Sequence, residues 1–235
     1  MPKLDSLIFI PTYNEKENVE VVYREIRAQK LSTNILFMDD NSPDGTGELI
    51  KAIAQKDSGV FSKHRPGKLG VGSAHMEGIQ YAYEQGYSVL ITMDCDFTHH
   101  PEDIPRFLKL AEDYDLIIGT RHLREESLEG WSLYRKLLTN LGYFLTMVLL
   151  KIPYDATNAF RLYRLDRIDR KTFSLVTSHS YSFFFESLFF LINRLDLRIT
   201  EVPIKLSPRT YGHSKMKLKD IIDSVFRLVL IYRKR

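Results

Sequence analysis

Residues 89–96 read Val89-Leu90-Ile91-Thr92-Met93-Asp94-Cys95-Asp96. A short apolar run that stops at carboxylates reads as a buried strand delivering polar groups to its carboxyl end. Alternation along an extended chain sends Asp94 and Asp96 to one side and Cys95 to the other. Two hard oxygen donors at a strand end, with room left for water and phosphate, suit Mg2+ or Mn2+. An Asp-x-Asp also arises as a plain pair of loop or cap carboxylates, and it is the strand-end position that favours the metal reading.

Outward from this stretch, strand-like and helix-like segments alternate. Leu7–Ile10, ended by Pro11, reads as the first strand, Ile35–Met38 as the second, Val60-Phe61 as the third and Leu116–Ile118 as the fifth. Helical spacing runs over 17–29 through Val19, Val22, Tyr23 and Ile26, then through Ile50 and Ile53, and over 72–84 and 101–112. The alternation predicts an α/β fold, an open parallel sheet with helices on both faces. Ligands in such sheets bind outside the carboxyl ends of the strands, near the topological switch point. Polar residues gather at those ends: Pro11–Glu15, Asp39–Asp44, Asp94–His100 and Gly119–Arg121.

The second half differs. Residues 123–131 form a charged stretch expected to be a mobile loop, followed by apolar helices over 135–151, 182–193 and 218–232. A soft boundary falls near residue 122, with both halves sharing one core. The run Tyr143–Leu150 is either a face lying in a membrane interface or a helix buried in the core.

At 235 residues, 44% hydrophobic and 27% charged, the chain can bury one large core. Its single cysteine excludes an internal disulfide. The apolar run at 7–10 is too short for a secretory leader, and the nearest spanning candidate, 137–152, is broken by Thr139, Asn140, Gly142, Thr146 and Lys151. The net charge of +3 is unevenly placed: residues 205–235 carry nine Lys or Arg against two Asp. That asymmetry points to an anionic partner or to a solvated helix face. A nucleic-acid partner is not expected, because no recognition motif accompanies the charge.

Four further segments carry possible chemistry. Asp39-Asp40 ends the second strand, where a carboxylate accepts from ribose hydroxyls or a base N–H, while Asn41, Ser42 or Asp44 can cap the next helix. Gly67-Lys68-Leu69-Gly70-Val71-Gly72 precedes a helix and reads as a phosphate cradle or a plain turn. It is no P-loop, because the Gly-Lys-Ser/Thr ending is absent, and no GxGxxG follows the first strand, which disfavours a dinucleotide oxidoreductase. Arg209–Lys215 is basic and suits a grip on phosphate oxygens or an ordinary surface loop. His99-His100 reads as a helix cap or pocket lining rather than a metal site.

Together these motifs match a family. PTYNE at 11–15, DDNSPDGTG at 39–47, GKLGVGSAHMEGI at 67–79, MDCDFTHHPEDIP at 93–105, GTR at 119–121, EGWSLYRKL at 129–137, DATNAFRLYR at 155–164, EVPI at 201–204 and RTYGHSK at 209–215 span nearly the whole chain. The chain resembles an inverting GT-A glycosyltransferase of glycosyltransferase family 2, in the branch of dolichyl- or polyprenyl-phosphate mannose synthases. The resemblance implies a single GT-A catalytic domain over 1–235, with a mostly parallel sheet, flanking helices and C-terminal amphipathic helices. Residues 1–122 would form the nucleotide-sugar half and 123–235 the acceptor half. Pro11, Tyr13, Glu15 and Asp40 would line the nucleotide site with Asp39 adjacent, and Asp94 and Asp96 would hold Mg2+ or Mn2+. Arg209 and Lys215 would touch the donor diphosphate. Arg121, Arg135 and Thr139 would hold the phosphate of a lipid acceptor, with Asp96, Arg121 and Arg135 central to catalysis. The loop around Trp131 would move as the acceptor enters.

The same resemblance implies a nucleotide-diphosphate sugar as donor, a polyprenyl phosphate as acceptor and work at the cytoplasmic face of a membrane, with a small membrane-anchoring subunit as a possible partner. The sequence departs from the family pattern at Cys95, often Ala; at Thr98, usually Ser or Gln; and in the Phe-rich segment 180–186. The chemistry is consistent with a phosphate nucleophile. A phosphate monoester, with a second pKa of about 6, is largely a dianion at neutral pH and needs no general base. A hydroxyl acceptor needs one, and no unmistakable base stands in the sequence. The competing expectations are a UDP-sugar donor such as UDP-glucose, a soluble glycan acceptor, or an inactive nucleotide-sugar binder. Intact Asp94, Asp96, Arg121 and Arg209 argue against the last.

Overall fold

Leu7-Ile8-Phe9-Ile10 forms the middle of β1 (Ser6–Thr12), and every one of the four is fully buried. A run apolar at each position marks a strand covered on both faces. The computed structural model describes residues 5–123, 127, 131–206 and 218–234. Six more strands complete one sheet: β2 (Thr33–Asp39), β3 (Val60–His64), β4 (Val89–Thr92), β5 (Leu116–Thr120), β6 (Arg161–Arg164) and β7 (Ile199–Pro203). Their order is β3-β2-β1-β4-β6-β5-β7. β6 runs antiparallel to both neighbours, and every other pairing is parallel.

Period-two alternation divides the core between the two faces. Ile8, Ile10, Ile35 and Phe37 pack with α1 (Lys16–Ala28), α2 (Thr46–Lys56) and α4 (Ile104–Leu110). Leu7, Phe9, Leu36 and Met38 pack with α3 (Val71–Glu84), α7 (Phe183–Arg194) and α8 (Leu218–Lys234). The chain therefore crosses on one face from β1 to β3 and on the other from β3 to β4. Since β1 lies between β2 and β4, the loops leaving β1 and β4 part and open a crevice at their carboxyl ends.

The expected parallel sheet is thus mostly parallel. β6 escapes a reading by hydropathy because arginines bracket its apolar pair, yet Arg161 is fully buried and Arg164 nearly so. Arg161 Nη1 and Nη2 donate to the carbonyls of Phe184 and Ala156 at 2.9 and 2.8 Å, which is how a charged residue is tolerated in a central strand. β7 is an edge strand closed by Pro203, a position where a missing N–H costs no ladder bond. The helix expected over 101–112 begins instead as a 3-10 turn, Pro101–Asp103, before α4. A short helix α6 (Arg170–Phe173), capped by Asp169, was not legible as a separate element.

α5 (Leu133–Leu150) packs against α8. One of its faces joins the core and another is open to solvent. Thr146 and Leu150 are buried, while Leu133, Leu137, Phe144 and Val148 are exposed. α8 likewise buries Leu228 and Ile231 and exposes Leu218, Ile222, Phe226 and Val229. Among the described residues no helix is long and apolar enough to cross a membrane.

Candidate active site

The loops after β1 and β2 are fastened to each other. Backbone N–H groups of Asn14, Glu15 and Lys16 donate to Ser42 Oγ, Thr46 Oγ1 and Asp44 Oδ2 at 2.9, 3.0 and 3.2 Å. Asp44 Oδ1 also accepts from the Thr46 N–H and hydroxyl, so one carboxylate serves the start of both α1 and α2. Burial acts to raise its pKa, but these bonds outweigh it and hold the carboxyl below its usual value. Asn14 and Asn41 occupy left-handed backbone, which asparagine tolerates.

Of the acidic pair that follows β2, Asp40 lines the cleft and Asp39 does not. Asp39 accepts from Thr12 Oγ1, Ser42 N and Ser42 Oγ and lies 3.4 Å from His64 Nδ1, bracing the loops from behind. Asp40 is met by buried Arg65, whose Nη1 donates to it at 2.6 Å. Burial pushes the Asp40 carboxyl above the usual range, with Arg65 opposing.

Across the crevice, Asp94 and Asp96 line the same cleft in the bend that follows β4, and Cys95 between them is buried against the core while also bordering the cleft. Asp96 Oδ1 accepts from the N–H and hydroxyl of Thr98 at 3.1 and 2.6 Å. The Asp94 N–H donates to His99 Nδ1 at 2.9 Å, so the ring proton sits on Nε2 and points to Asn158 Oδ1, also at 2.9 Å. Asn158 Nδ2 donates to the Gly119 carbonyl. Both nitrogens of His99 are occupied, and the ring stacks on Phe160, so it supports the carboxylate loop and supplies no metal ligand.

The cleft, about 310 Å3, is lined by Pro11, Tyr13, Glu15, Asp40, Asp94 and Asp96, and also by Lys68, Tyr181 and Asp220. Lys68 Nζ stands 4.6 Å above the Tyr13 ring. Among the described residues no cluster of three or more His, Cys, Asp or Glu is arranged around a cation. Asp94 and Asp96 bring two hard oxygen donors to the cleft wall. Hard oxygen donors of this kind fit a divalent cation completed by phosphate and water.

Val71, Asp94 and Tyr181 also line a second cavity of about 440 Å3, which shares Arg121, Leu138, Thr139, Thr157, Tyr181, Phe184 and Ile221 with an apolar groove of about 230 Å3 between α5 and α8. The acidic cleft, the central cavity and the groove thus stand side by side with common walls. Arg121 Nε and Nη2 donate to Asp155 at 2.7 and 2.5 Å, and Nη2 also reaches Thr157 Oγ1. His122 stacks on Tyr143 and lies 3.7 Å from Asp155, and burial holds its pKa down. Arg209 and Lys215 lie outside the described residues. So does the side chain of Arg135, whose backbone stands on α5 one turn before Thr139.

Lys68, Tyr181, Asp155, Asn158 and Asp220 were not singled out from sequence. The first four sit inside segments already noted, in the Gly67–Gly72 loop, the Phe-rich stretch and the DATNAFR motif. Asp220 carried no local signal.

The glycosyl transferase family 2 model matches residues 7–181. An undecaprenyl-phosphate mannosyltransferase of Micrococcus luteus is 36% identical over 211 residues, 89% of this chain and 86% of that protein. A polyprenol monophosphomannose synthase of Mycolicibacterium smegmatis is 34% identical over 230 residues, 97% and 86% of the two chains. Among solved structures, S. aureus TarS 1-349 with UDP-GlcNAc has a TM-score of 0.61 at 13% identity, covering 97% of this chain and 66% of that one. Mannosyltransferase PcManGT of Pyrobaculum calidifontis, with GDP-Man and Mn2+, has a TM-score of 0.56 at 13% identity, covering 87% and 57%. This chain thus spans about two-thirds or less of either solved protein, and the likeness is one of fold.

Proposed function

The chain belongs to glycosyl transferase family 2, and from that premise we propose that it transfers mannose from GDP-mannose to a polyprenyl phosphate with inversion at the anomeric carbon. The observation that carries this reading is the nearness of an acidic cleft to an apolar groove: Tyr181 lines both, and Arg121 lines the groove and the cavity between them. A nucleotide sugar needs the first, an isoprenoid chain the second, and a phosphate nucleophile the arginine between them.

In this reading residues 1–122 hold the donor and 123–235 the acceptor. Pro11, Tyr13, Glu15 and Asp40 seat the nucleoside, with Asp39 supporting their loops. Mg2+ or Mn2+ held by Asp94 and Asp96 would neutralise charge on the departing diphosphate. Arg209 and Lys215 would share that task. Arg121, Arg135 and Thr139 position the acceptor phosphate and offset repulsion between two anions. The phosphate oxygen forms its bond to the anomeric carbon as the bond from that carbon to the diphosphate oxygen breaks, releasing GDP. No proton has to be removed from the nucleophile. The exposed apolar stripes of α5 and α8 would lie on a membrane surface, bringing the groove to the lipid.

Radiolabelled GDP-mannose and UDP-glucose are each offered with polyprenyl phosphate in detergent and Mg2+ or Mn2+. Mannose entering an organic-soluble product, and lost with EDTA, is expected. Glucose transfer alone would replace the donor, and no transfer from either would overturn the reading.

A further inference from the structure

α8 is a wall common to the cavities: Asp220 faces the donor cleft, Ile221 the central cavity and Leu228 the apolar groove. Further along, Arg227 turns toward α7 and pairs with Glu186, whose side chain is 2% exposed. Glu186 does more than answer that charge. Its Oε2 accepts from the Ser178 N–H at 3.0 Å and its Oε1 from the Thr177 N–H at 3.3 Å. The loop ahead of α7 is thus anchored by a carboxylate that α8 also holds. At its other side this loop docks on α3, where the His179 carbonyl accepts from Gly72 and Ser73 N–H groups at 3.0 and 3.3 Å. Two residues past the second anchor, Tyr181 reaches the wall of all three cavities. Polar contacts therefore run from α8, through Arg227 and Glu186, to the start of the loop that carries Tyr181. A buried carboxylate left without its cation is costly, so the pair favours one seating of α8 over others.

We propose that Arg227 is a positioning residue: its pair with Glu186 sets α8 against the 177–182 loop, so that lipid phosphate in the groove tightens nucleotide binding in the cleft. This rests on the groove being the acceptor site, as argued above. Two ligands that bias the same element are coupled reciprocally, and here both border α8 and Tyr181.

The test is calorimetric titration of GDP with Mn2+ in detergent micelles, with and without polyprenyl phosphate, on the wild type, Arg227→Gln and Arg227→Lys. In the wild type, lipid phosphate is expected to tighten GDP about fivefold or more. Arg227→Gln should abolish that ratio while leaving GDP affinity without lipid unchanged, and Arg227→Lys should restore part of it. If Arg227→Gln lowers the melting temperature, Glu186→Gln, which keeps an acceptor for the Ser178 N–H, must lose the ratio as well. A wild-type ratio retained in Arg227→Gln, or no ratio in the wild type, overturns the proposal. Mannose transfer assayed on the same wild-type preparation separates the two failures. Transfer with coupling indifferent to Arg227 removes the positioning role alone, whereas no transfer removes the acceptor reading and this role with it.

Discussion

Arg121 and Asp155 form a two-pronged ion pair, Nε to Oδ2 at 2.7 Å and Nη2 to Oδ1 at 2.5 Å, with the carboxylate wholly buried. Burial alone would raise the Asp155 pKa, but the charge and hydrogen bonds of Arg121 hold it below the usual carboxylate value. The fork fixes the guanidinium plane of a residue that lines both the central cavity and the apolar groove.

Asp155→Asn should therefore disturb the acceptor more than the donor. Steady-state kinetics are expected to show the acceptor KM rising about tenfold, a loss of about 1.4 kcal/mol, with the donor KM unchanged. Breaking a buried pair costs on the order of 3–5 kcal/mol, so the melting temperature should fall too. Because the folded pKa is depressed, the stabilisation by Asp155 is present above the ordinary carboxylate value and is lost as pH falls through the folded one. A donor KM that moved instead would put Arg121 on the wrong substrate.

Asp96→Asn keeps an acceptor for Thr98 and removes one charge from the proposed cation site. Turnover should drop about 100-fold or more, with the melting curve little changed. Mn2+ titration of the transfer rate checks it, and wild-type turnover would end the metal assignment.

Gly70 and Gly72 let the 177–182 loop reach α3. A Cβ at Gly70 would stand 2.2 Å from the His179 carbonyl, on backbone at φ +100, and one at Gly72 would stand 2.7 Å from Phe183 Cβ. Gly72→Ala is expected to cost about 1–3 kcal/mol by overpacking. It should also weaken donor binding, since Ser180 and Tyr181 line the cleft. Chemical denaturation and GDP titration would expose the error if neither changed.

His75 is buried among Phe9, Phe183 and Phe184, and its Nδ1 meets the Val71 carbonyl. Burial lowers its pKa to about 4. Between that value and about 6.5 the unfolded chain binds a proton that the folded chain does not, so stability falls as pH drops through the window, by roughly 1.4 kcal/mol per pH unit. Denaturation midpoints from pH 7 to 4 should show that slope in the wild type and lose it in His75→Phe. An equal slope in both would exclude His75 as its source.

The strands and helices of the first half were legible because each repeats its signal locally. Leu7–Ile10 and Val89–Met93 are apolar at nearly every position, as double-covered strands must be, and Asp94 and Asp96 follow directly on the second run. Hydropathy could not find β6, since Arg161 and Arg164 become acceptable in a central strand only when the carbonyls of Phe184 and Ala156 and the carboxylate of Asp166 meet them. Nor could local pattern tell Asp39 from Asp40. Adjacent carboxylates on a strand point to opposite sides, and only the neighbouring loops decide which side is the cleft. Asp155, Tyr181 and Arg227 owe their places to contacts across 34 to 46 residues of chain or to cavities shared by separate elements. Sequence by itself determined the periodicities and the chemical kinds of residue at the strand ends, because those depend on near neighbours. Tertiary structure alone decided which arginine is forked, which carboxylate faces the cleft and which helix borders both the cleft and the groove, because those are set by packing between segments far apart in the chain.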